Sequence, residues 1–126
     1  MLLRQKRSGN PYGHDLEEAE VKSCGPSGSG FEYQYHKKGG LAKLESEGRI
    51  NHIFILYSDD YLQVTIYLVK GAALESLFGS WRDALVANYE SGLRQRFRRS
   101  VPKRAVIERS TIVLRISAGE LVNTRT

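Results

Sequence analysis

The sequence predicts an α/β fold. Three observations carry that reading. Several short stretches alternate apolar and polar residues, the period-two mark of half-buried strands. One longer stretch repeats its apolar residues at helical spacing. Turn-forming segments such as Gly25-Pro26-Ser27-Gly28 and Asp59-Asp60 separate them. At 126 residues the chain reads as one domain, 1–126, with 1–12 as a loose start and 119–126 as a frayed tail or an edge extension.

The elements follow in order. Met1 to Tyr12 carries Arg4, Lys6 and Arg7, then the turn signal Gly9-Asn10-Pro11. A strand or turn holds His14 and Asp15, and a strand covers Ala19 to Cys24. Gly25 to Gly30 is a connector; it lacks the Gly-Lys-Ser/Thr ending of a phosphate-binding loop. Phe31, Tyr33 and Tyr35 share one face of the next strand and Glu32, Gln34 and His36 the other. That strand is expected to pair with the Glu20 strand as a hairpin. Leu41 to Glu47 gives a short helix stopped by Gly48. His52 to Ser58 and Tyr61 to Lys70, joined at Asp59-Asp60, predict an antiparallel hairpin. Ala73, Leu74, Leu77, Phe78, Trp81, Leu85 and Tyr89 predict an amphipathic helix over 72–94, with Trp81 as a core anchor. The alternation over Ala105 to Ile116 predicts a final strand.

The net charge of +5 favours an anionic partner, nucleic acid above all. No apolar run approaches the roughly 20 residues of a membrane span, so a membrane is not among the expected partners. The basic start has no apolar signal-peptide core behind it. A single cysteine, Cys24, excludes an internal disulfide and a cysteine zinc site, and fits a reducing cytoplasm.

The chemistry gathers at Asp15 and at Glu20-Val21-Lys22. On a strand, Glu20 and Lys22 point the same way while Val21 points back into a core. Two carboxylates and an ammonium in one place are what metal-assisted phosphodiester cleavage needs. Mg2+ takes oxygen ligands and keeps several waters, so Asp15, Glu20 and the carbonyl of Val21 suffice to hold it. Lys22 then orients or deprotonates the attacking water and offsets charge on the phosphorane. Downstream lies a basic segment, Arg94, Arg96, Arg98, Arg99, Lys103 and Arg104, with Phe97 inside it and Pro102 as a breaker. Such a cluster draws phosphates by Coulomb attraction and counterion release. His36, Lys37 and Lys38 form a second one, following the strand beside the metal residues. His52 opens an apolar strand and reads as structural.

At Asp15, Glu20 and Lys22 the chain resembles the PD-(D/E)XK nuclease superfamily. The short gap from aspartate to Glu20 looks like the group with the mismatch-repair nicking endonuclease and certain type II restriction enzymes. His14 stands where that superfamily usually has proline. The resemblance implies a restriction-endonuclease-like fold, a mixed central sheet flanked by helices. It implies a Mg2+-dependent DNA endonuclease of restriction or repair type, with Mn2+ able to substitute. Double-stranded DNA is then the partner, and cutting both strands favours a homodimer. A Holliday-junction-type resolvase of the same superfamily shares the Glu-Val-Lys-Ser wording found at 20–23. From a different class, a non-catalytic nucleic-acid-binding module would use the basic cluster alone.

Overall fold

The computed structural model describes residues 19–36, 39–90 and 96–125. They form a mixed α/β arrangement of seven strands and three α-helices. The strands are β1 (Ala19–Cys24), β2 (Gly30–His36), β3 (Asn51–Tyr57), β4 (Gln63–Lys70), β5 (Arg96–Pro102), β6 (Ile112–Ser117) and β7 (Glu120–Arg125). The helices are α1 (Gly40–Glu47), α2 (Glu75–Glu90) and α3 (Lys103–Arg109).

Five strands make one sheet in the order β1-β3-β4-β6-β7. β1 runs parallel to β3 and every other neighbour is antiparallel. A parallel pair needs a crossover, and α1 lies within it. The β3–β4 hairpin closes as its turn residues demand. Ser58 Oγ and the Leu62 amide both donate to Asp60 Oδ1, at 2.6 and 3.0 Å. The Ser58 hydrogen bond, aided by Leu62, holds the Asp60 carboxyl below its ordinary range. Tyr61 takes the left-handed conformation at φ 61 and stacks on Tyr57.

The expected hairpin of the Glu20 strand with the Phe31 strand does not form. β2 instead pairs with β5 as a separate two-stranded ribbon. Alternation dictates which side chains share a face, not which strand lies alongside. Here Phe31, Tyr33 and Tyr35 are buried as that alternation requires, but they lie over a face of the large sheet. Phe31 meets Phe54 of β3 at 4.7 Å between ring centroids.

The expected strand over Ala105 to Ile116 divides into α3, a short break and β6. Pro102 ends β5 and opens the helix, and Ala105 and Val106 are both buried. From Arg96 on, the basic segment belongs to β5 and α3 and is not a plain connection. The helix expected over 72–94 begins later: a 3-10 turn, Gly71–Leu74, precedes α2. Gly71 sits against the end of α1, where an added Cβ would lie 2.6 Å from the Ile50 carbonyl oxygen. The tail forms edge strand β7, and residues 1–12 lie outside the described residues.

The main core fills the space between the sheet, the ribbon, α1 and α2. It holds Tyr33, Tyr35, Leu44, Phe54, Phe78, Trp81 and Leu85, with Trp81 as the anchor expected of it. Tyr33 touches the rings of Phe78 and Trp81, at 6.1 and 5.5 Å. Cys24 is buried here too, its thiol directed at the Gly25 carbonyl. The opposite face of the sheet is aliphatic: Ala19, Ile53 and Ile66, flanked by half-buried Val21, Ile55, Leu68 and Leu114. No helix among the described residues is long and apolar enough to cross a membrane.

Candidate active site

Strand β1 sorts its residues as alternation requires. Ala19 and Val21 join the aliphatic face, while Glu20, Lys22 and Cys24 turn toward the main core. Glu20 is 1 % exposed. An ionised carboxylate so buried needs a positive partner. Lys43, on α1, brings its Nζ to 3.5 Å from Glu20 Oε2. Lys22 lies over the Tyr33 ring, its Nζ 4.7 Å from the centroid. Lys43 lies over the Tyr35 ring at 5.6 Å. Glu20 and Lys43 thus pair beside the Tyr35 ring, and Lys22 lies over the neighbouring Tyr33 ring, an arrangement that favours cations.

Beneath those rings runs a buried polar network. His52 is paired in register with Glu20 across the parallel strands. Its Nε2 lies 2.8 Å from the Glu47 carbonyl oxygen and its Nδ1 2.7 Å from Tyr33 Oη. The carbonyl only accepts, so Nε2 carries a proton, and the Glu47 carboxylate lies 3.7 Å from the same nitrogen. Tyr35 donates to Glu47 Oε1 at 3.1 Å. Burial, with the Glu47 carboxylate beside it, pushes the Tyr35 phenol well above its ordinary value. Tyr35 is thereby held as a donor, and both rings that carry the lysines are tied from behind at their hydroxyls.

Among the sequence-predicted metal ligands, Glu20 and Val21 lie on β1 and Asp15 lies outside the described residues. Glu20 supplies an oxygen donor of the kind Mg2+ takes. Among the described residues no three His, Cys, Asp or Glu side chains gather closely enough to hold a metal by themselves. A hard cation needs only one or two carboxylates but keeps several waters, and Glu20, 1 % exposed and paired with Lys43, would have to give up that pairing to hold one.

The ribbon carries part of the basic set. Arg98 stands opposite Gln34, and Arg96 opposite His36. Arg99 stands opposite Tyr33, with its guanidinium 4.1 Å over the Phe97 ring. Lys103 donates to the Gly25 carbonyl at 3.0 Å and ties down the connector after β1. Arg104 pairs with Glu108 on the surface of α3, which raises its already high pKa. Lys37, Lys38 and Arg94 lie outside the described residues.

Lys43, Tyr33, Glu47 and His52 are absent from the site read from the sequence. Their one sequence signal was weak: a tyrosine alternation that named a buried face without naming what it would touch. Lys43 reaches Glu20 only because the crossover packs α1 against β2, within reach of β1. The chain matches no family model, and it matches no curated protein.

Proposed function

We propose that the protein is a Mg2+-dependent endonuclease of restriction-endonuclease-like fold, acting on double-stranded DNA. The observation that carries this reading is the pair Glu20 and Lys22. They project from one strand to one side, with the carboxylate buried and the amine on a tyrosine ring. A purely solvated Glu-x-Lys pair has no need of such a setting.

Glu20, the Val21 carbonyl and Asp15 would hold the metal. The bound ion supplies a water of lowered pKa and a clamp for the phosphate. Lys22 orients that water and takes up negative charge as the phosphorane forms. The water oxygen would bond to phosphorus, one ester P–O bond would break, and the proton given up by the water, relayed by Lys22, would pass to the departing oxygen. Lys43 keeps the Glu20 carboxylate in place and charge-balanced. The ribbon arginines and His36 would contact the DNA, with Lys37, Lys38, Arg94, Lys103 and Arg104 as further contacts from the same basic segments. Cutting both strands of a duplex would call for a second copy of the chain.

The test is incubation of the full chain with duplex DNA in Mg2+ and in EDTA, alongside calorimetric titration with Mn2+. Cutting in Mg2+ alone is expected, with Mn2+ binding that weakens in Glu20→Gln. Salt-sensitive DNA binding with no cutting in either buffer would instead establish a non-catalytic binding module, which the arginine-bearing ribbon also suits. Comparing linear, mismatched and four-way-branched DNA separates the restriction, repair and junction-resolving roles.

A further inference from the structure

Resting on the DNA-directed reading above, we propose that the outer face of the β2–β5 ribbon reads base edges in the major groove, with Gln34 and Arg98 as its specificity-determining pair. The ribbon is paired along its whole length, from Gly30 opposite Pro102 to His36 opposite Arg96. It joins no larger sheet among the described residues. Its inner side is sealed by Phe31, Tyr33, Tyr35, Phe97 and Val101, all buried. The outer side holds Glu32, Gln34 and His36 on one strand and Arg98 and Ser100 on the other. Each of these five can donate or accept a hydrogen bond, and Glu32, Arg98 and Ser100 are exposed.

The dimensions suit one groove. Two paired strands lie about 4.8 Å apart, and a two-stranded ribbon enters a major groove about 12 Å wide, whereas the minor groove at about 6 Å is too narrow. Outer side chains recur every second residue, about 6.8 Å along the strand, or roughly two base-pair steps of 3.4 Å. The chemistry is that of base readout. Arginine is shaped for a bidentate contact with guanine O6 and N7, and glutamine for adenine N6 and N7. Antiparallel register places these two side by side.

Glu32 strengthens the argument. It accepts from Gln34 Nε2 at 2.8 Å, which orients the amide so that its oxygen stays available. A carboxylate on a surface built only to meet phosphates would repel them. On a groove floor it can accept from the cytosine N4 amino group. The reading face is also tied to the proposed chemistry. Tyr33, whose ring carries Lys22, and Gln34 are successive residues on β2, facing opposite ways. A base contact that shifts β2 would therefore shift the floor under Lys22.

The test is selection of the full chain, in EDTA, against a duplex pool with randomised central base pairs. Retained DNA is sequenced for wild type, Gln34→Ala, Arg98→Ala and Arg98→Lys. The wild type should enrich a short motif. Gln34→Ala should lose its adenine preference, and both Arg98 variants a guanine preference, each by about ten- to a hundred-fold at one position. Arg98→Lys keeps the charge and loses only the fork, so its salt dependence should stay that of the wild type. Both side chains face outward, and unchanged thermal unfolding confirms that the variants remain folded.

A wild type that binds duplex without enriching any motif overturns the proposal, as does an unchanged motif in all three variants. A parallel assay of plasmid cutting in Mg2+ separates the two readings. Cutting without base preference removes the reading face and leaves the nuclease. Base preference without cutting removes the nuclease and leaves the reading face.

Discussion

A carboxylate with 1 % of its surface exposed cannot stay ionised without compensation, and Lys43 lies 3.5 Å from Glu20. Replacing Lys43 by methionine keeps most of its apolar stem and removes the charge. The expected result is a loss of about 1–3 kcal/mol in urea unfolding, partly recovered when Glu20→Gln is added, because the second change removes the stranded charge. Additive losses would show that the two do not interact. Tyr35 makes a separate, pH-dependent prediction. Its pKa is raised in the folded protein, so the folded state keeps a proton that the unfolded state releases above about 10.0. Stability from this group is complete below that value and is lost as pH rises past it. Tyr35→Phe has no such proton, so its stability should fall with pH less steeply than that of the wild type, by about 1.4 kcal/mol per pH unit above the phenol range. Parallel curves would contradict the burial of the phenol next to Glu47.

Elements built on local signals were legible in the sequence. The β3–β4 hairpin and the buried row Phe31, Tyr33 and Tyr35 follow from period and turn chemistry alone. So does the shared side of Glu20 and Lys22, since alternation along one strand needs no knowledge of its neighbours. What depended on partners was not legible. The partner of β2 is β5, more than sixty residues on, and no local pattern encodes it. Helix α3 was hidden because Val106 and Glu108 mimic a strand alternation, while the burial of Ala105 and Val106 together depends on β5 and β4 nearby. Lys43 was invisible for the same reason, being brought to Glu20 by a crossover. The joint between α1 and the 3-10 turn gives the prediction at this scale. Gly71→Ala would force a Cβ against the backbone oxygens of Glu47 and Ile50. Stability should drop by about 1–3 kcal/mol, or more if the backbone cannot yield. Because Glu47 holds both His52 and Tyr35, NMR shifts of the His52 ring should move too; a silent ring would mean that the strain is absorbed elsewhere.

Among the described residues, β1 carries its charged side chains toward the aromatic core and its aliphatic ones to the opposite face of the sheet. Glu20 and Lys22 turn toward the ribbon, and Val21 turns toward the aliphatic face of the sheet. On the ribbon, Arg98 shares the outer face with Gln34, while Arg99 stands opposite Tyr33, the ring that carries Lys22. That division makes one residue decisive. Lys22 is half-buried above Tyr33, and its replacement leaves the aliphatic side, the ribbon and the Glu20–Lys43 pair intact. The most direct measurement is the single-turnover rate of duplex cleavage in Mg2+ for wild type and Lys22→Met, at matched DNA occupancy. The predicted result is a rate lower by about 100- to 10,000-fold with DNA binding nearly unchanged. Equal rates in the two proteins, or no Mg2+-dependent cleavage by the wild type, would contradict the assignment of this site.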